Sequence, residues 1–189
     1  MEDNNDTPAK IIAQTKQWIE SVVIGCNFCP FAAREVKADS IFYQVENATQ
    51  LTVCLQSFLQ LCLRLDEDNT IATSILIFPA AFPDFDDYLT LVALAEKLLK
   101  KNGYEGIYQV ASFHPLYRFA QSPDNDPANY TNRSIYPMLH LLREEAITKA
   151  LAHYPRPDRI PANNVNFART KGEAYMKMLR EACREENKQ

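Results

Sequence analysis

The run TSILIFP, residues 73–79, decides the fold. It is a continuous apolar stretch of strand length without alternation, which predicts a central strand covered on both faces. Two further strands, SIFYQVEN at 40–47 and GIYQVASF at 106–113, lie on either side of it along the chain. A helical pattern separates each strand from the next, so the order strand–helix–strand–helix–strand predicts an α/β fold with parallel neighbours.

The two connecting helices follow from apolar side chains at helical spacing. The first helix has a stripe that includes Cys54, Phe58 and Cys62, so both cysteines are predicted to serve packing. The second helix is predicted to begin at a cap formed by Asp84 or Asp86 and to end at Gly103.

The remaining chain is predicted to complete a single domain. Residues 1–8 form a polar, disordered tail, and residues 9–187 form one α/β domain that begins with a helix ending near Gly25. A helical extension over 137–187 packs on this domain. The predicted fold is therefore a small, mainly parallel sheet of three strands, or of four, with flanking helices and a helical C-terminal extension.

Composition limits the function. A net charge of −4 argues against a nucleic-acid binder, which needs a concentrated basic face. No apolar run approaches the roughly 18 residues of a membrane span, and the acidic start MEDNNDTPAK does not resemble a secretory signal. Five cysteines, an odd number, fit a reducing cytoplasm. The expectation is a cytoplasmic protein with no nucleic-acid or membrane partner.

Only four glycines are present, too few for a glycine-rich phosphate loop, and the sequence identifies neither a cofactor nor an oligomeric state. Anion binding would therefore have to come from arginines or helix ends.

The stretch IGCNFCPFAAR, residues 24–34, holds the first candidate for chemistry. Pro30 suits a first helical position, so Cys29 is predicted to cap a short helix whose positive end stabilises the thiolate. The alternative is that Cys29 is a small apolar side chain in a core. One CxxC provides two of the four ligands of structural zinc, and no second pair exists. The spacing also fits neither a thioredoxin motif, which follows a strand, nor a phosphatase loop.

His114 is the second candidate. It follows the strand at 106–113, at the carboxyl edge where open α/β sheets bind ligands. The alternative is that the His-Pro pair stabilises a turn. The long polar loop that follows, 114–136, is of a length usually found in functional segments, and a helix is predicted from 137 to about Ala152.

Arginines and amides on and beside this loop are predicted to bind substrate, because arginine forks bind carboxylate or phosphate. The spacing of the acidic residues excludes an EF-hand calcium site, and no metal ligand is assigned. The predicted substrate-binding residues are Arg118, Asn129, Tyr130, Asn132, Arg133, His140 and Arg143.

Three stretches, VVIGCNFCPFA (22–32), ASFHPLYRFA (111–120) and DNDPANYTNRSIYPMLHLLREE (124–145), together carry a resemblance. The chain resembles, over about residues 10–180, a bacterial family catalogued as domain of unknown function 1415. That resemblance implies no reaction. The family pattern has an apolar residue in place of Cys26, which points to Cys29 alone. The residues that match its motifs are Asn27, Cys29, Pro30, Phe31, His114, Pro115, Asn129, Tyr130, Asn132, Arg133, Ser134, Pro137, His140 and Arg143.

Three functional hypotheses follow. The first is an enzyme acting on a small anionic molecule, with Cys29 as nucleophile, His114 as its acid or base and Arg133 as the anion clamp. The second is a non-catalytic module that binds a ligand or partner through the loop 114–136. The third is a mononuclear metal site formed by Cys29, His114 and His140.

Overall fold

The computed structural model describes residues 6–185. Within these residues the chain forms seven α-helices, one π-helix and a four-stranded mixed sheet. Besides three short 3₁₀-helices, the elements in chain order are α1 Pro8–Trp18, the π-helix Ile19–Ile24, α2 Ala32–Lys37, β1 Ile41–Val45, α3 Leu51–Glu67, β2 Thr73–Ile77, α4 Phe85–Lys101, β3 Tyr108–Phe113, β4 Met138–Arg143, α5 Glu144–Ala152, α6 Ile160–Lys171 and α7 Glu173–Glu181.

The strand order is β1-β2-β4-β3. Strands β1 and β2 pair in parallel, whereas β4 pairs antiparallel with both β2 and β3. The prediction of a mixed α/β fold is confirmed, but a mainly parallel sheet is not, because only one of these three pairings is parallel. The three predicted strands do run in one direction, and β4 lies between the second and the third.

The strand β4 corrects the prediction of a helix from 137 to Ala152 and of a wholly helical extension over 137–187. Residues Met138–Arg143 are extended, and the helix α5 begins only at Glu144. The segment carries apolar side chains on both faces of the sheet, which is typical of a central strand. A run this short has the same apolar pattern in a buried helix, so periodicity alone does not separate the two.

Helices cover both faces of the sheet. On one face α3 and α4 pack against Leu76, Leu139 and Leu141. On the other face α1, the π-helix and the loop before β4 pack against Ile75 and Met138. Every residue of β2 is buried, as the apolar run predicts. Burying one such aliphatic side chain contributes roughly 1.5–3 kcal/mol to folding, so the central strand is a main source of stability.

Several local predictions are confirmed. Asp84 caps α4, since its Oδ1 accepts hydrogen bonds from the backbone N–H groups of Asp86 and Asp87. Cys54 and Cys62 of α3 are fully buried in the hydrophobic core between α3, α4 and the sheet.

The predicted disordered tail, 1–8, lies outside the described residues except for its last three positions, and Pro8 already begins α1. Positions 186 and 187 of the predicted extension also lie outside them.

Candidate functional site

A cavity of about 320 Å³ lies between the sheet and the helices on the α1 side. Its floor is made by residues of all four strands, among them Ile75, Ala111 and His140. Its walls come from four segments: the end of α1, the π-helix, the stretch from the Cys29 turn into α2, and α5. The lining is almost wholly apolar. The polar side chains in it are Cys29, Glu35, Thr73, Gln109, His140 and Arg143.

The π-helix places Cys29 at this cavity. Its wider turns end in a bond from the Gly25 N–H to the Glu20 carbonyl, five residues back, and the Phe28 N–H then bonds to the Val23 carbonyl. Asn27 has a left-handed backbone with φ 55°, which turns the chain toward the sheet.

Cys29 is not the predicted helix cap. The helix α2 starts at Ala32, contains six residues and leaves Cys29 in the preceding turn. What positions the thiol is therefore the π-helix rather than the helix that follows. Cys29 is half-buried and lines the cavity, whereas Cys26 is only 6% exposed.

Changing Gly25 to alanine should disrupt this arrangement. A Cβ at Gly25 would lie 2.3 Å from the carbonyl oxygen of Ser21, so the π-turn would have to open. We expect Gly25→Ala to lower the free energy of unfolding by roughly 2–3 kcal/mol, the upper part of the usual range for overpacking because the clash is with backbone, as measured by urea denaturation.

The control is Gly103→Ala. Nothing lies within 4 Å of a Cβ there, although its φ of +78° disfavours alanine, so about 1 kcal/mol is expected. Equal losses in the two variants would contradict a specific clash in the π-turn.

Iodoacetamide should label Cys29 in the folded protein and spare the other four cysteines. Those four, Cys26, Cys54, Cys62 and Cys183, are at most 6% exposed. Burial also raises the pKa of each of their thiols, that of Cys62 to about 12, which disfavours the reactive thiolate. Intact-mass spectrometry should therefore show one adduct per chain. Cys29→Ser should show none, and labelling of Cys26 at a rate equal to that of Cys29 would contradict the described turn.

His140 forms the polar part of the cavity floor. Its Nε2 lies 2.7 Å from the Thr73 Oγ1, which itself donates its only proton to the Leu141 carbonyl at 2.6 Å. The imidazole must therefore donate through Nε2–H, and its Nδ1 is an unprotonated acceptor. Burial lowers the pKa of His140 to about 4, so the ring is neutral near pH 7.

His114 lies on the other side of the sheet. Its ring packs against Tyr88 and Phe85 of α4, with ring centroids 4.9 and 5.3 Å away. Its Nε2 donates to the Phe82 carbonyl at 2.9 Å, and its Nδ1 accepts from the Leu116 N–H at 3.0 Å. Burial lowers its pKa as well.

This placement corrects the predicted Cys29–His114 pair. Phe113 points into the cavity, so the next residue along the chain points to the opposite face. The structure instead brings His140 into the same cavity as Cys29, and it uses both ring nitrogens of His114 to hold a turn.

The two histidines predict a loss of stability in mild acid. An unfolded histidine gains a proton near pH 6.5, whereas folded His140 does so only near 4, so the unfolded state binds more protons between these values. The contribution of His140 is complete above pH 6.5 and is lost as the pH falls toward 4. Between pH 7 and pH 5 it amounts to about 2 kcal/mol, to which the lowered pKa of His114 adds.

Urea denaturation at the two pH values should show this loss, and His140→Phe should reduce it by about 2 kcal/mol. The charged or titratable groups that line the cavity beside His140 are Glu35, Arg143 and Cys29, and Asp84 acts on His114. Asp126, whose pKa is lowered chiefly by its hydrogen bond from Arg169, acts only below this window. An unchanged pH dependence in His140→Phe would contradict a half-buried ring that stays neutral in the folded state.

The predicted anion clamp is engaged elsewhere. Arg143 donates to the carbonyls of Leu65, Asp68 and Ile71, and so it binds the C-terminal end of α3 and the following turn. Arg133 donates to two carbonyls, those of Tyr117 and Asp124, and its guanidinium stacks on the Tyr130 ring. Arg118 forms an exposed ion pair with Asp124. Of the three arginines, only Arg143 lines the cavity.

The amides and the tyrosine of the loop 114–136 also have internal partners. Asn129 is fully buried, accepts from the Phe119 N–H and donates to the Pro123 carbonyl. Asn132 donates to the Ser112 carbonyl. Tyr130 is buried between two guanidinium groups. Asn129 thus satisfies backbone groups of the loop itself, and Asn132 ties the loop to β3, so both amides have a structural role without a ligand.

Sequence reasoning missed Thr73, which fixes the His140 ring, and the apolar walls of the cavity. Thr73 opens the most apolar strand, so its burial could be anticipated but not its partner. The wall from α5 depends on β4, which was predicted to be helical.

No group of three or more His, Cys, Asp or Glu side chains within residues 6–185 could hold a metal ion. In particular, Cys29, His114 and His140 do not converge, because His114 faces α4.

Comparisons with known proteins add one match. A family model described as "Protein of unknown function (DUF1415)" matches residues 10–178. No curated protein and no solved structure matches the chain. None of the helices between residues 6 and 185 is both long and apolar enough to cross a membrane.

Proposed function

We propose, for a chain that belongs to the family described as protein of unknown function (DUF1415), that it binds a small, mainly apolar molecule in the cavity beside Cys29 and His140. The observation that carries the proposal is the cavity itself, with apolar walls from four segments and a few polar groups. Small-molecule sites typically have this combination and a volume of about 300–1,000 Å³.

The volume sets the size of the ligand. An apolar cavity of about 150 Å³ holds one benzene ring, that is, six carbon atoms. A cavity of about 320 Å³ therefore has room for roughly a dozen non-hydrogen atoms. A single substituted aromatic ring or a medium-length alkyl chain fits this limit, whereas a nucleotide does not.

The single tryptophan provides the test. Trp18 is the only tryptophan of the chain and lies in the cavity wall, so its fluorescence should report occupancy directly. Titration with pentylbenzene should give a saturable change, and the bound ligand should slow the alkylation of Cys29. Glucose, of similar size but polar, should do neither. A linear fluorescence response together with unprotected Cys29 would contradict the proposal.

A second candidate is covalent chemistry on the bound molecule, with Cys29 as nucleophile. The observation that favours it is that Cys29 and the neutral His140 line one cavity, since a nucleophilic thiol needs a base nearby. This assigns to His140 the role that the sequence gave to His114. If His140 accepts the thiol proton, His140→Phe should slow the alkylation of Cys29 by about tenfold. This is less than the roughly 10²–10⁴-fold of most general bases, because a pKa of about 4 makes the ring a weak base. An unchanged alkylation rate in His140→Phe would contradict the catalytic role of His140 and leave ligand binding as the function.

A further inference from the structure

The floor of the cavity contains a hydrogen-bond acceptor without a partner. Because Nε2 of His140 donates to Thr73, Nδ1 is left with a lone pair that no residue between 6 and 185 satisfies. His140 lines the cavity, and its Nδ1 is not among the unpartnered side-chain atoms that are buried from solvent. A bound molecule can therefore reach this nitrogen.

A second polar group in the same walls also lacks a partner. The indole N–H of Trp18 is buried without an acceptor among the described residues. The only other such atom among them, Ser74 Oγ, belongs to the opposite face of the sheet, because Ser74 alternates with the cavity residues Thr73 and Ile75. By the same criterion that leaves Nδ1 of His140 open to the cavity, the indole N–H of Trp18 is closed to a bound molecule. Nδ1 of His140 is therefore the unpartnered group on which the inference rests.

Residues 6–185 bring no free cation to the cavity lining for an anionic ligand. The guanidinium of Arg143 is held by backbone carbonyls, and none of the lysines that the structure describes lines the cavity. The carboxylate of Glu35 adds a negative charge to the lining. A carboxylate or phosphate placed among these apolar walls would lose its hydration without gaining a charged partner, which is strongly unfavourable.

We propose that the cavity selects uncharged molecules that carry a hydrogen-bond donor, such as a hydroxyl group, which donates to Nδ1 of His140. The inference rests on the proposed binding function and names the class of ligand. It replaces the anionic substrate that the arginine-rich loop suggested. Thr73 is a positioning residue in this arrangement, because its hydroxyl fixes the tautomer and the orientation of the ring.

Three ligands of nearly equal size test the proposal: para-pentylphenol, para-pentylanisole and para-pentylbenzoate. They share the apolar body and differ in having a donor, no donor or a negative charge. Titrations followed by Trp18 fluorescence and by calorimetry should show the phenol binding about three- to tenfold more tightly than the anisole, the effect of one net hydrogen bond. The benzoate should bind more weakly than either.

His140→Phe should remove the preference for the phenol over the anisole and leave anisole binding within about twofold, since only the acceptor is lost. His153→Phe is the matched control, because His153 is exposed and does not line the cavity. It should keep the full preference. Thr73→Val provides a second variant. Without the Thr73 hydroxyl the proton of His140 is no longer fixed on Nε2, so the preference for the phenol over the anisole should decrease.

The outcomes separate the two proposals. Equal binding of phenol and anisole by the unaltered chain overturns the donor specificity while leaving the binding function in place. Tighter binding of the benzoate overturns it in favour of an anionic ligand. A preference that survives in His140→Phe assigns the hydrogen bond to another group and also overturns the proposal. If none of these ligands and no pentylbenzene binds, both the function and the ligand class are wrong.

Discussion

Ala111→Phe should abolish the binding of pentylbenzene, with a loss of about 100-fold or more in affinity. Ala111 lies on the cavity floor in β3 and pairs directly with His140 of the neighbouring strand. A phenyl ring at this position would occupy the volume that the ligand needs. The loss corresponds to about 2.7 kcal/mol, close to the free energy of burying one large apolar side chain.

The same variant should fold normally or become more stable, because the added ring fills a cavity on an edge strand. Titration by Trp18 fluorescence and urea denaturation measure the two effects separately. Ala111→Ser keeps the volume and is the matched control, which should bind pentylbenzene within severalfold of the unaltered chain. Undiminished binding by a folded Ala111→Phe variant would place the ligand elsewhere.

Asn129→Ala should lower the free energy of unfolding by about 3 kcal/mol. Asn129 is fully buried and makes hydrogen bonds to two backbone groups in the first half of its own loop, the Phe119 N–H and the Pro123 carbonyl. Alanine would leave a buried donor and a buried acceptor unpaired, and each unsatisfied group costs about 1–3 kcal/mol.

Asn125→Ala is the matched control, since Asn125 is exposed in the same loop and should change stability by less than about 0.5 kcal/mol. Urea denaturation checks both. A stable Asn129→Ala variant that lost ligand binding would favour the sequence-based hypothesis, in which this amide recognises a ligand. The structure favours a loss of stability in Asn129→Ala, because every polar atom of the Asn129 side chain has a backbone partner.

The fold could be predicted from the sequence where local chemistry determines it. The apolar run at 73–79, the aspartate cap at Asp84 and the buried cysteines of α3 each depend on neighbours along the chain. The strand β4 depends on pairing with segments about 30 and 65 residues away, and its short apolar run is compatible with either a helix or a strand. Once β4 was read as a helix, a parallel sheet followed.

The site was predicted in part for the same reason. The sequence predicts both Cys29 and His140 as site residues, and both line the cavity. His114 was paired with Cys29 because strand ends gather at one edge of a sheet, but the alternation along β3 turns it to the far face. The arginines and amides looked like recognition groups, yet an ordered loop of this length needs internal donors for its carbonyls. Whether a polar side chain binds a ligand or satisfies the protein's own backbone depends on backbone groups that are distant in sequence.

The position of β4 between β2 and β3 has a consequence for folding. The unit from β1 through α3 to β2 closes by contacts that are near in sequence, whereas β3 can join the sheet only after residues 138–143 arrive. On the ribosome, a nascent chain that ends before that point would present two unpaired strand edges of largely apolar composition. Such edges recruit other chains, so chaperone dependence and aggregation should be greatest for intermediates that lack this final strand.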